Sequence, residues 1–165
     1  MMWSGGKDSS MALYEIRKVG KFAISALLTT VTEGYDRISM HGVRRILLEQ
    51  QADSLGIPVE KVLISQQATN EEYEARMREK LVVFKQQGVA SVVIGDIFLE
   101  DLRKYWEEKL AEIGIVGVFS VRKRNTAELA RAFIDLGFKD FITCIDSEVF
   151  DRKFVWKEFN LFKYR

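Results

Sequence analysis

Short apolar runs alternate with helix-periodic stretches along nearly the whole sequence, and this alternation limits the fold more than any other feature. A helical period runs over residues 8–19 through Met11, Leu13, Tyr14, Ile16 and Val19, with Gly20 as a stop. Residues 22–31 are expected to form a strand ending at Thr29 and Thr30, and residues 32–40, which lack a helical period, a loop. Ser39 or His41 would cap the next helix, with Val43, Ile46, Leu47 and Leu55 on one face before Gly56 and Pro58 close it. Residues 59–65 read as a strand. Asn70, followed by Glu71 and Glu72, reads as a capped helix start with Tyr73, Met77, Leu81 and Phe84 on its apolar stripe. Residues 89–94 are nearly all apolar, as expected of a strand buried on both faces of a parallel sheet. A further helix uses Leu99, Leu102, Trp106 and Leu110, and residues 115–121 are strand-like. Asn125 or Thr126 opens a helix with Leu129, Ala130, Phe133 and Ile134, and residues 138–145 form the last expected strand, with Cys144 buried in it. Repetition of β then α predicts an α/β fold with a mainly parallel sheet and right-handed crossovers.

Ligands in such sheets bind at the carboxyl ends of strands, where strand order reverses. Three polar clusters fall at expected strand ends: residues 4–9, Thr29 with Thr30, and Gly95 with Asp96. The first is the most informative. Met1, Met2 and Trp3 lead into Ser4, Gly5, Gly6, Lys7, Asp8 and Ser9, which run straight into a helical pattern. Adjacent glycines let the backbone take positive φ and approach a ligand closely. Lys7 brings a mobile point charge, the serines bring hydroxyls, and amides at a helix entrance favour an anion. The plain alternative is a tight glycine turn capped by Asp8 or Ser9. A Walker loop needs four residues between its glycines, whereas these glycines are adjacent. The pattern Ser-Gly-Gly-x-Asp-Ser instead resembles the signature of PP-loop ATP pyrophosphatases, which cleave ATP to AMP and pyrophosphate. Only three apolar residues precede the loop, so the first strand is either very short or entered part-way along.

Composition removes several other classes. The chain has 165 residues, 25 Lys and Arg against 24 Asp and Glu, and a formal net charge of +1. So balanced a chain offers no overall field for RNA or DNA, and nucleic acid is not expected as a partner. A single cysteine excludes an intramolecular disulfide or a cysteine-rich metal site. No apolar run reaches membrane-spanning length and no signal segment opens the chain, so no membrane partner is expected and the cytoplasm is the expected compartment. An ATP-binding domain is expected over residues 1–146. Residues 147–165, aromatic and basic without a clear period, would pack on it as a tail.

Other stretches narrow the family. Leu27-Leu28-Thr29-Thr30-Val31-Thr32-Glu33, Arg37-Ile38-Ser39-Met40-His41-Gly42-Val43-Arg44, Asn70-Glu71-Glu72-Tyr73-Glu74 and Gly95-Asp96-Ile97-Phe98-Leu99-Glu100-Asp101 closely resemble the diphthine–ammonia ligase family. They look most like its bacterial branch of adenine nucleotide alpha hydrolase-like proteins. The resemblance implies a three-layer, Rossmann-like sandwich with a five-stranded parallel sheet. It also implies adenylation of a carboxylate by ATP with Mg2+, loss of pyrophosphate, and displacement of AMP by ammonia to form an amide. The chain departs from the family pattern at residues 121–126, where Arg124 matches the family arginine, and it lacks the family's later acidic motif on the acceptor side.

On this reading Ser4, Gly5, Gly6, Lys7, Asp8 and Ser9 hold the β,γ-phosphates, with Lys7, Asp8 and Asp96 as the catalytic group. Asp8 orients the loop or reaches Mg2+, or simply caps the helix, and Asp96 holds Mg2+ or the ribose–phosphate region. Thr29, Thr30 and Gly95 belong to the ATP site, although ordinary strand threonines serve as well for the first two. His41, Glu100, Arg103 and Arg124 stand on the acceptor side, Arg124 within a basic run that is otherwise a solvated stretch. The acceptor carboxylate is open, and so is assembly as a homodimer. Two other readings stay open: a non-catalytic adenine-nucleotide-binding module, and a tRNA-modifying PP-loop enzyme.

Overall fold

The computed structural model describes residues 1–39 and 42–160. The chain packs as two units, Met1–Arg122 and Lys123–Arg165. This division falls ahead of the helix that follows Asn125.

In the first unit, α1 (Lys7–Val19) ends on Gly20 in the left-handed conformation. It is followed by β1 (Leu27–Thr32), β2 (Arg37–Ile38), α2 (Arg45–Leu55), β3 (Val59–Ile64), α3 (Asn70–Gln86), β4 (Ser91–Val93), α4 (Glu100–Ala111) and β5 (Val116–Val118). β1 pairs in parallel with β3 from Leu27↔Val59 to Thr32↔Ile64, and antiparallel with β2 at Val31↔Ile38. β4 and β5 pair in parallel, Ser91↔Val116 to Val93↔Val118. The α/β expectation holds, but the five-stranded parallel sheet does not. A mixed three-stranded sheet, β2-β1-β3, stands beside a two-stranded one, β4-β5. Residues 1–3 join them: the Trp3 amide donates to Leu28 O at 2.8 Å, Leu28 donates to Met1 O at 2.7 Å, and Met2 donates to Val93 O at 2.9 Å. Three residues suffice for an isolated parallel bridge, Met2↔Leu28, but not for a strand.

Alternation along the strands gives this unit three layers. On one face Leu28, Val62, Ile64, Val92 and Ile94 pack with Met77 and Leu81 of α3 and Trp106 and Leu110 of α4. On the other, Trp3, Leu27, Ile38 and Ile57 pack with Leu13 of α1 and Leu48 and Ala52 of α2. Several local expectations shift. β2 lies within the expected loop, and α2 buries Leu48 and Ala52 while Ile46 and Leu47 are exposed. Arg44, not Ser39, stands at the α2 N-cap; the alternative cap, His41, lies outside the described residues. Thr69, not Asn70, caps α3, and Leu99 and Leu102 are exposed.

In the second unit α5 (Thr126–Asp135) is capped by Asn125, whose Oδ1 accepts from Ala127 N at 2.9 Å and Glu128 N at 3.1 Å. Leu129 and Phe133 are buried, and Phe133 stacks on Phe138 with ring centroids 5.1 Å apart. Residues 138–145 form no strand. They make one antiparallel bridge, Phe141↔Glu158, and Phe141 and Cys144 are exposed. Backbone pairing with residues 156–159 is confined to Asp140–Ile142, so Cys144 lies beyond it and is exposed, not the buried residue expected. No helix among the described residues is long and apolar enough to cross a membrane.

Candidate functional site

The loop of residues 4–9 is shaped from below by α2. The indole of Trp3 donates to Gln51 Oε1 at 3.2 Å, and Gln51 Nε2 donates to Gly5 O at 3.0 Å. Gly5 has φ +77°, and a Cβ there would lie 2.6 Å from Gln51 Oε1 and 2.9 Å from Leu48 Cδ1. The positive φ requires glycine at this position, whereas the Gln51 and Leu48 side-chain tips could turn aside for a Cβ. Gly6 is the N-cap of α1, and no side chain caps that helix. The serines are drawn inward. Ser9 Oγ and Ser10 Oγ donate to Gly6 O at 2.9 and 3.0 Å, and Ser4 Oγ lies 3.2 Å from Ser9 Oγ. Orphan amides of a first helical turn carry the positive end of the helix dipole. Ser4 Oγ also accepts from Gly6 N at 3.4 Å, while no side chain caps the first-turn amides of α1.

Of the other residues expected at the site, Gly95 is the one that meets the loop directly. A Cβ on Gly95 would lie 3.1 Å from the carbonyl carbon and oxygen of Asp8 and 3.1 Å from Ser9 Cα. The strand end therefore lies directly on the loop backbone. Lys7 Nζ is in close contact with the Asp8 carboxylate. Asp96 Oδ1 accepts from Leu99 N at 3.4 Å, and its buried Oδ2 has no partner. Arg103 binds Glu107 at 2.6 Å and lies 3.9 Å from Glu100, with its guanidinium 5.7 Å from the Phe119 ring centroid. Glu100 in turn is in close contact with Arg122.

Thr29 and Thr30 stand within β1, which runs on to Thr32, and Thr30 O accepts from Ser39 N at 2.9 Å. They are not the strand end. His41 lies outside the described residues. Arg124 belongs to the second unit, immediately before the α5 cap.

Two partners were missed from sequence. Gln51 sits 46 positions from the carbonyl it holds, and no local pattern marks it. Arg122 has only 9% of its side chain exposed, although a basic run ordinarily reads as a solvated one.

Among the described residues no three of His, Cys, Asp and Glu gather as a metal site. Mg2+ commonly uses one or two carboxylates with substrate phosphates and water, and the unpartnered oxygen of Asp96 suits that pattern. Two grooves lie elsewhere. One of about 270 Å3 lies between α3 and α4, where burial and then the Glu74 carboxylate push the Tyr105 phenol up to about 12. The other, about 320 Å3, runs by Met1 and the starting ends of β1 and β4.

The family model for the diphthamide synthase N-terminal domain matches residues 1–117. The chain belongs to the diphthamide synthase N-terminal domain family. The match runs from the loop through α4 into β5 and makes this a PP-loop, ATP-binding family member. No curated protein matches the chain.

Proposed function

We propose that this diphthamide synthase-family chain binds ATP at residues 4–9 and drives amide formation between a carboxylate and ammonia. The carrying observation is the glycine loop at the uncapped head of α1. A carboxylate oxygen attacks the α-phosphorus, the bond to the β-phosphate oxygen breaks, and pyrophosphate leaves. Ammonia then attacks the acyl carbon, loses a proton, and AMP departs.

The carboxylate is already a nucleophile, so the protein supplies position and charge rather than a general base. Gly5, Gly6 and the first-turn amides hold the leaving phosphates, with Ser4 and Ser9 bracing the turn. Lys7 exchanges its contact with Asp8 for a phosphate oxygen. Asp8 and Asp96 would hold Mg2+, through water, and the ion would neutralise the leaving group. Gly95 leaves room beside the loop, and Thr29 and Thr30 stand on the adenosine side. Glu100, Arg103, His41 and Arg124 are assigned to the acceptor side, and the bacterial branch of the family is part of this reading.

Purified protein with ATP, Mg2+, ammonium and a panel of carboxylates should yield AMP and pyrophosphate in equal amounts. Lys7→Ala should weaken ATP binding about tenfold or more, since a charged hydrogen bond is worth roughly 1.5–3 kcal/mol. Unchanged affinity in that variant would place the nucleotide elsewhere. ATP binding without AMP formation under any acceptor would instead identify a nucleotide-binding module.

A further inference from the structure

Arg122 stands just beyond β5, at the same edge of the sheet as the loop. Its place is fixed on two sides. Ser120 Oγ donates to Ala12 O of α1 at 3.2 Å, and Arg122 N donates to Phe119 O at 3.3 Å. The side chain is 9% exposed, and its Nη2 meets Glu100 at the start of α4. Nε and Nη1 are buried and have no partner among the described residues.

Asp96 Oδ2, beyond the neighbouring strand, is likewise buried and unpartnered. The two strands are in register here, with Ile94 N donating to Val118 O at 2.9 Å. A buried guanidinium with one carboxylate and a buried carboxylate oxygen with no donor are both costly. They do not satisfy each other. A ligand that brings acceptor oxygens for one and a divalent cation for the other would satisfy both.

We propose that Arg122 is a phosphate-binding residue of this site, held by Glu100 until a magnesium-bound pyrophosphate group displaces that carboxylate. The inference rests on the ATP-binding reading above and adds to it a residue and a switch. A planar guanidinium can present two parallel N–H donors to phosphate oxygens, which a lysine cannot. Glu100, 69% exposed in its side chain, turns to solvent on exchange at little cost.

The test is calorimetric titration of the full chain with inorganic pyrophosphate and Mg2+, and separately with the non-hydrolysable analogue AMP-PNP and Mg2+. Arg122→Gln should weaken pyrophosphate binding about tenfold or more, and Arg122→Lys should recover only part of it. Lys104→Gln, an exposed charge loss on α4, should change nothing. Glu100→Gln, which leaves Arg122 intact, should tighten pyrophosphate binding by removing its competitor. That variant keeps the idea testable should Arg122→Gln fail to fold. Unchanged affinity in Arg122→Gln, or weaker binding in Glu100→Gln, overturns the proposal. If the wild type binds and Lys7→Ala does not, the ATP reading survives that result. If the wild type binds neither ligand, both fall.

Discussion

At Gly95 a single methyl group would meet three backbone atoms of the loop at 3.1 Å, and backbone cannot turn aside as a side-chain tip can. Gly95→Ala must therefore push residues 8 and 9 by a few tenths of an ångström. Overpacking of this kind costs about 1–3 kcal/mol, and its larger effect should fall on the anion site. Urea unfolding should show a loss in that range, while AMP-PNP binding weakens about tenfold or more, the scale of misplacing one charged hydrogen bond. Affinity equal to the wild type would mean that loop shape does not govern binding. At this scale the loop was legible because its six residues are contiguous and their chemistry is local. Gln51 and the burial of Arg122 were not, because each depends on chain folded in from far along the sequence.

Elements were legible where period and punctuation agree. α1 and α3 carry clear apolar stripes, and Gly20 and Gly56 end α1 and α2 in the left-handed conformation. The face of α2 was misread because Ile46 and Leu47 look as apolar as Leu48, and only the neighbouring strands decide which side is covered. β2 is two residues long, below what alternation can reveal, and residues 138–145 had the composition of a strand but pair with residues 156–159 only across one bridge. The join of β3 to α3 carries a testable electrostatic device. The Glu72 carboxylate accepts from Ser65 N at 2.8 Å and Ser65 Oγ at 2.7 Å, while Glu72 N donates to Thr69 Oγ1 at 3.2 Å. The bonds from Ser65, backbone first, hold the Glu72 carboxyl below the usual glutamate range. Its stabilisation is thus complete above the unfolded-state pKa and is lost as pH falls through the lower folded-state value. Glu72→Gln should unfold at lower urea than the wild type at neutral pH, and the two midpoints should converge in acid. A gap that persists undiminished in acid would mean the charge plays no part.

For the molecule as a whole, the layered α/β plan of the first unit follows from alternation, but the continuity of its sheet rests on residues 1–3 alone. The amino group of Met1 is drawn into that join and donates to Ala26 O at 2.9 Å. Burial lowers its pKa from 8.0 to about 6. Below pH 6 the amine is charged in both states and the cost of burying it is fully felt. Above pH 8 it is neutral in both and the cost disappears. With a free amine at Met1, stability should therefore rise between pH 6 and 8, by up to about 3 kcal/mol. Urea midpoints measured across that range should show the rise; a flat profile would mean the amine stays hydrated.

The central claim is that the amides at the head of α1 receive the phosphates of a nucleotide. Amide-resolved NMR during titration with AMP-PNP and Mg2+ tests it most directly. The largest shifts should fall on Gly5, Gly6, Lys7, Asp8 and Ser9, with Gly95 beside them. Unmoved loop amides, with shifts gathered instead around Glu74, Tyr105 and Lys109 in the groove between α3 and α4, would contradict it.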